Sequence, residues 1–152
     1  GSWYNQSWKG DEEKSGGIAS NIGVHFFDML HYLFGRTINI KVYLKSHNKQ
    51  SGFLQLEKAN VKWFLSIDYN DLPEVSKKQN QSTHRSIVIN GDEMEFSEGF
   101  NNLHIKSYEE ILQGNGFDIK DNIEKIETIS KIRDCKISSL INDYHPFLKS
   151  IK

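Results

Sequence analysis

Asn21, His25, Asp28 and Tyr32 recur at intervals of four, three and four residues inside the largely apolar run "IASNIGVHFFDMLHYLF". At about 100° per residue, a helix gathers these four side chains into a wedge roughly 60° wide. The wedge holds no Lys, Glu, Arg or Gln, the usual occupants of a solvated helix face. Histidine can trade a proton near neutral pH without a large pKa shift, so His25 is the acid/base candidate. Asp28, one turn on, is placed to hold the imidazole. Two plainer readings compete: a face turned to water, or a buried hydrogen-bond network. A metal site is not expected, because His25 and Asp28 supply only two ligands and Asn21 is a poor ligand for zinc.

The helix that positions this wedge is expected from about Ser20, as N-cap, to Phe34, with Gly35 as its stop. It is apolar over most of its circumference, so it should be largely buried. Gly16 and Gly17 precede it and Gly23 lies inside it, where glycine costs about 1 kcal/mol relative to alanine. Such glycines fit either a backbone that approaches a ligand or close packing of helix on sheet. They match no G-x-G-x-x-G or phosphate-loop pattern, so no nucleotide cofactor is expected to bind this chain.

Downstream the period changes. Ile38, Ile40, Val42 and Leu44 alternate with Asn39, Lys41, Tyr43 and Lys45 as in a half-buried strand. "SGFLQLE" (51–57) and Val61 to Tyr69 follow as two more strands, joined by a turn short enough for an antiparallel hairpin. Asn90-Gly91 between alternating runs signals another hairpin. "SYEEILQ" (107–113) returns to helix. Asp118 or Asp121 can cap a last helix running to about Cys135, with Ile119, Ile123, Ile126 and Ile129 on its inner side. The reading is α+β: a mostly antiparallel open sheet with helices packed on one face.

Bulk properties narrow the function. The 152 residues are the size of one ordinary domain, and 19 Lys and Arg against 20 Asp and Glu offer no footprint for nucleic acid or an anionic membrane. No apolar run approaches the roughly 20 residues of a membrane span. A single cysteine, Cys135, excludes an internal disulfide framework and fits a reducing cytoplasm. The abrupt aromatic opening "GSWYNQSWKG" reads as a piece of something longer, with Gly1-Ser2 either native or an expression scar.

The string "SGGIASNIGVHFFDML", with "SWKGD" before it, resembles the second domain of the glucose–fructose oxidoreductase/inositol dehydrogenase (Gfo/Idh/MocA) family. The shared motif has the form G-G-x-x-x-D/N-x-G-x-H-x-x-D, met here by Gly16, Gly17, Asn21, Gly23, His25 and Asp28. "FLQLEKANVKWFLSID", "EMEFSEGFNNLHIKSYEEILQGNGF" and "HPFLK" look like the branch that oxidises the 3-hydroxyl of UDP-N-acetylglucosamine uronate, so the resemblance covers nearly the whole chain.

The resemblance implies the C-terminal domain fold of the glyceraldehyde-3-phosphate dehydrogenase type, over residues 1–152, without the N-terminal Rossmann domain that binds NAD or NADP. It makes His25 the catalytic residue at the hydroxyl being oxidised. The family commonly has aspartate where this chain has Asn21, so Asn21 should hold sugar hydroxyls, leaving the proton to His25 or to a lysine of the absent domain. Lys9 and Ser15 suit a uronate carboxylate, and Gly17 and Asp28 complete the expected substrate wall. An isolated chain should be inactive as a dehydrogenase. Arg85 is a weaker candidate for an anion. Trp3, Trp8 and Trp63 suit a core or interface, the first two also a uracil stack. The second sheet face, with Tyr43, Phe53, Phe64 and Val88, should pair subunits into a homo-oligomer. The branch further implies surface-polysaccharide precursor synthesis. Two alternatives stay open: a non-catalytic sheet module for oligomerisation or protein binding, and a metal-dependent hydrolase built on His25 and Asp28.

Overall fold

Alternating sequence becomes strand wherever one side of it can be buried, and three such runs here form one antiparallel sheet. In the computed structural model, which describes Tyr4 and residues 6–97 and 103–149, these are β1 (Thr37–Lys45), β2 (Lys49–Leu56) and β3 (Asn60–Ser66), in the order β1-β2-β3. Gly52 stands opposite both Val42 and Trp63, and Leu54 opposite Ile40 and Val61. Gln50, Leu54, Leu56, Val42 and Trp63 make the buried face. Gly1-Ser2, Trp3 and the 98–102 part of the family-like stretch lie outside the described residues.

Helix α2 (Val24–Phe34) covers that face, following the short helix α1 (Glu12–Ser15) and a π-helical turn over Ala19–Gly23. Phe27 meets Trp63 edge to face at 5.5 Å and 81°. Ile18, Ala19, Phe27 and Leu30 are buried, each full-sized side chain worth about 1.5–3 kcal/mol on burial. Gly35 ends the helix as expected, its N–H donating to the His31 carbonyl at 2.9 Å.

Two expectations for this helix need correction. Ser20 is no N-cap, because the backbone is already helical at Ile18 and the Ser20 hydroxyl donates back to the Gly16 carbonyl at 3.0 Å. Nor is the helix largely buried. Only the arc opposite the polar wedge is covered, while Leu33 is 47% and Tyr32 90% exposed.

The last described α-helix, α5 (Ile123–Asp134), packs beside α2. Its buried residues are Thr128 and Ile132. The expected inner row fails, since Ile119, Ile123 and Ile126 are exposed. The Thr128 hydroxyl lies 3.0 Å from the Thr37 hydroxyl, and His31 Nε2 lies 2.8 Å from Thr37 and 3.3 Å from Thr128. A polar pin between α2, β1 and α5 therefore sets the face that α5 turns inward.

Burial depresses the His31 pKa, partly offset by Glu124 and Asp28, and its Nδ1 is sealed without a partner among the described residues. A histidine with a depressed folded pKa adds stability that is complete above its unfolded value of about 6.5 and lost as pH falls through the folded one. His145, depressed by burial and then by Lys62, acts in the same direction. Thermal melting at pH 7 and pH 5 should thus show an acid loss that His31→Gln reduces. An unchanged loss in the variant would remove His31 from this role.

The other sheet face is covered in part by the chain's own closing segment. Phe64 stacks on His145 at 5.8 Å and lies 4.9 Å from Phe147. Asp143 accepts from Lys41 at 2.7 Å and from the Tyr43 hydroxyl. Tyr43, at a bulge between Val42 and Leu44, is buried under this segment and meets Tyr144 edge on. Val88 does not belong to this face.

It lies instead in a second compact unit, Tyr69–Asp118, while Gly1–Asp68 and Ile119–Lys152 form the first. The second unit holds α3 (Glu74–Lys78), the hairpin β4 (Ser86–Ile89) and β5 (Asp92–Glu95), and α4 (Leu103–Leu112). Asn90 and Gly91 turn the hairpin at φ of 54° and 97°. The architecture is α+β, with antiparallel sheets and packed helices. No described helix is long and apolar enough to cross a membrane.

Candidate functional site

The loop before α2 folds back on itself because two successive residues take left-handed backbone, Gly16 at φ 74° and Gly17 at φ 82°. The Ser15 hydroxyl accepts the Gly17 N–H at 3.1 Å. The Ala19 N–H donates to the buried Gln50 side chain at 3.0 Å, fastening this end of the helix to the sheet. Asn21 Nδ2 donates to the Gly17 carbonyl at 2.9 Å and to the Tyr4 hydroxyl at 3.2 Å. Tyr4 is buried, and that burial, with Glu12 adding, raises its phenol pKa. Ser15, Gly17 and Asn21 are thus brought into one hydrogen-bonded cluster.

Lys9 stands beside the cluster. Together with Tyr4, Gly10, Glu12, Gly17, Ser46 and His47 it lines a cavity of about 10 Å³. That is the space of a single water, far too small for a sugar. Around Lys9 the described residues therefore offer a wall and not a pocket that encloses a sugar. A wider groove of about 380 Å³ lies within the second unit, lined by Ser76, His84, Glu93 and Glu95 among others, and contains none of the sequence-predicted residues. Arg85 is tied to Ser97, its guanidinium donating to the Ser97 carbonyl at 2.8 Å. Trp63 is core and Trp8 is exposed.

His25 continues the wall one turn beyond Asn21, exposed on α2, and no described side chain hydrogen-bonds its ring. Asp28, expected to hold that ring, forms an ion pair with Lys125 of α5 at 2.5 Å. The pair fixes a carboxylate on the same helix face, with the Asp28 side chain still 51% exposed. Sequence reasoning missed Tyr4, Glu12, His47 and Lys125. The first three are gathered by the fold of a loop, and Lys125 lies almost a hundred residues from its partner, so no spacing could reveal them.

What this wall can do chemically follows from its donors and acceptors. A half-buried asparagine, a lysine, a hydroxyl and an exposed imidazole can hold a polyhydroxylated ligand and take one proton. Among the described residues no group of three His, Cys, Asp or Glu is placed to hold a metal ion. Both described sheets are antiparallel, and the glycine pair follows a helix instead of the parallel strand from which a pyrophosphate turn is built.

Comparison with known proteins matches the same region. A family described as "Oxidoreductase family, C-terminal alpha/beta domain" matches residues 1–72. The WlbA (WbpB) dehydrogenase from Thermus thermophilus, solved with NAD and alpha-ketoglutarate, superimposes with a TM-score of 0.91 at 45% identity, over 97% of this chain and 48% of that one. The structure of that enzyme with NAD and UDP-GlcNAcA matches with a TM-score of 0.90 at 44% identity and the same coverage. The chain spans about half the length of these solved structures.

Proposed function

The chain belongs to the Gfo/Idh/MocA oxidoreductase family, whose C-terminal alpha/beta domain it carries, and we propose that it forms the substrate wall of an NAD(P)-dependent nucleotide-sugar dehydrogenase. The substrate is UDP-N-acetylglucosamine uronate or a near relative, oxidised at a secondary alcohol, the 3-hydroxyl by branch resemblance. One observation carries this reading: His25 stands exposed on a helix whose opposite arc is locked into the core, directly beyond the Ser15–Gly17–Asn21 cluster. Likeness at 44% identity to an enzyme solved with NAD and UDP-GlcNAcA supports the ligand class.

In this reading His25 accepts the hydroxyl proton as the alcohol becomes a carbonyl. NAD(P)+, held outside this chain, is the hydride acceptor. Asn21 and Asp28 hold sugar hydroxyls, while the Lys9 ammonium and the Ser15 hydroxyl suit the uronate carboxylate. Gly17 lets the backbone come close to the ligand. The lone thiol, Cys135, suits a cytoplasmic enzyme, and the ligand class suits the synthesis of surface-polysaccharide precursors.

The test is NADH or NADPH formation with UDP-N-acetylglucosamine uronate. The full-length protein should turn over, and the isolated chain should be inactive. Full-length protein without activity on this substrate or other UDP-sugar uronates would leave the sheet-module alternative standing. The full-length protein is also proposed to be a homo-oligomer paired through the aromatic face of β1–β3, beside the closing segment. A strictly monomeric sedimentation profile at micromolar concentration would count against that pairing.

A further inference from the structure

Asn21 is held at two points by one nitrogen. Nδ2 lies 2.9 Å from the Gly17 carbonyl oxygen and 3.2 Å from the Tyr4 phenol oxygen. A carbonyl oxygen only accepts, so the amide nitrogen, never the amide oxygen, must face Gly17. The other hydrogen of the same nitrogen then goes to Tyr4, whose oxygen accepts it. Both anchors are fixed. Tyr4 is 3% exposed, and Gly17 is set by its left-handed backbone and the Ser15 hydroxyl.

With both hydrogens engaged, the remaining polar atom is Oδ1. No described donor meets it. Nor is it sealed, for the buried side-chain polar atoms without partners among the described residues are only His31 Nδ1 and Trp63 Nε1. An accessible amide oxygen thus stands one helical turn before His25.

We infer that Tyr4 is a positioning residue that locks the Asn21 amide as a one-way acceptor, so the ligand must bring a hydroxyl or N–H donor to this point. The inference rests on the reading of this stripe as the substrate wall. A freely turning asparagine would serve donors and acceptors alike. The locked one discriminates, since a keto, ether or deoxy group there leaves Oδ1 unpaired against the ligand.

Steady-state kinetics of the full-length protein with UDP-N-acetylglucosamine uronate read the lock as a change in KM. Tyr4→Phe should raise KM roughly five- to tenfold with kcat within about twofold of wild type. Asn21→Ala should do at least as much, and the double variant no more than Asn21→Ala alone, because Tyr4 acts only through Asn21. An unchanged KM in Tyr4→Phe, or losses that multiply in the double variant, overturns the inference. Hydrogen exchange of the Asn21 side-chain amide decides the matter whether or not the enzyme turns over and whether or not Tyr4→Phe folds. Both Nδ2 protons should exchange slowly in the wild type, and two fast protons would overturn the lock. A wild type that fails to turn over yet shows two slow protons contradicts the substrate assignment and leaves the lock standing.

Discussion

Replacing His25 with alanine in the full-length protein is expected to lower kcat by about 10²–10⁴-fold, the usual contribution of a positioned general acid or base, with little change in KM. The side chain is exposed and touches no packed neighbour through a hydrogen bond among the described residues, so its removal should leave the melting temperature unchanged. That separation makes the result readable, because a loss of turnover at constant stability is chemical and not structural. A drop smaller than about tenfold would shift the proton to another group, such as a lysine outside this chain. Lys125→Met is a useful companion. It frees Asp28 from its ion pair and should disturb turnover far less than His25→Ala.

Gly52→Ala is expected to produce the largest loss of stability. Gly52 sits mid-sheet in β2, opposite Val42 on one side and Trp63 on the other. A Cβ there would press into the carbonyl oxygen of Lys41 and stand 2.7 Å from Trp63 Cζ2. A ring can tilt, but the carbonyl belongs to the ladder and cannot move without breaking it. Overpacking against backbone should cost about 3 kcal/mol, at the upper end of the usual range. In a chain of this size that lowers the melting temperature by roughly 6–12 °C. Gly91→Ala is the contrast, since nothing lies within 4 Å of its Cβ and the penalty reduces to its positive φ. Equal melting temperatures for Gly52→Ala and wild type would show that the sheet gives way more easily than its register implies.

Much of the fold is legible in the sequence where the deciding interactions are local. Alternation marks β1, β2 and β3, Asn90-Gly91 marks its hairpin, and Gly35 ends α2, because turn and cap chemistry act within a few residues. The chain's departures come from partners distant in sequence. Thr37 and His31 decide that Thr128, and not the isoleucine row, turns inward on α5. Asp143, a hundred residues on, accepts from Tyr43, a residue whose alternation points outward. The π-turn over Ala19–Gly23 displaces the expected cap at Ser20, a deviation that no propensity marks.

The candidate site divides in the same way. Helical spacing alone places Asn21 and His25 on one stripe, and the family-like motif adds Gly17. Tyr4 and Lys125 enter only through tertiary structure, since neither stands at a motif position. The wall is thus readable one helix at a time, and its supports are not.

The most direct measurement is the structure of the full-length protein with NAD+ and UDP-N-acetylglucosamine uronate bound. A His25 ring nitrogen should lie within about 3.2 Å of the hydroxyl to be oxidised, or one water away. A sugar seated elsewhere, with the His25 imidazole facing open solvent, would contradict the assignment.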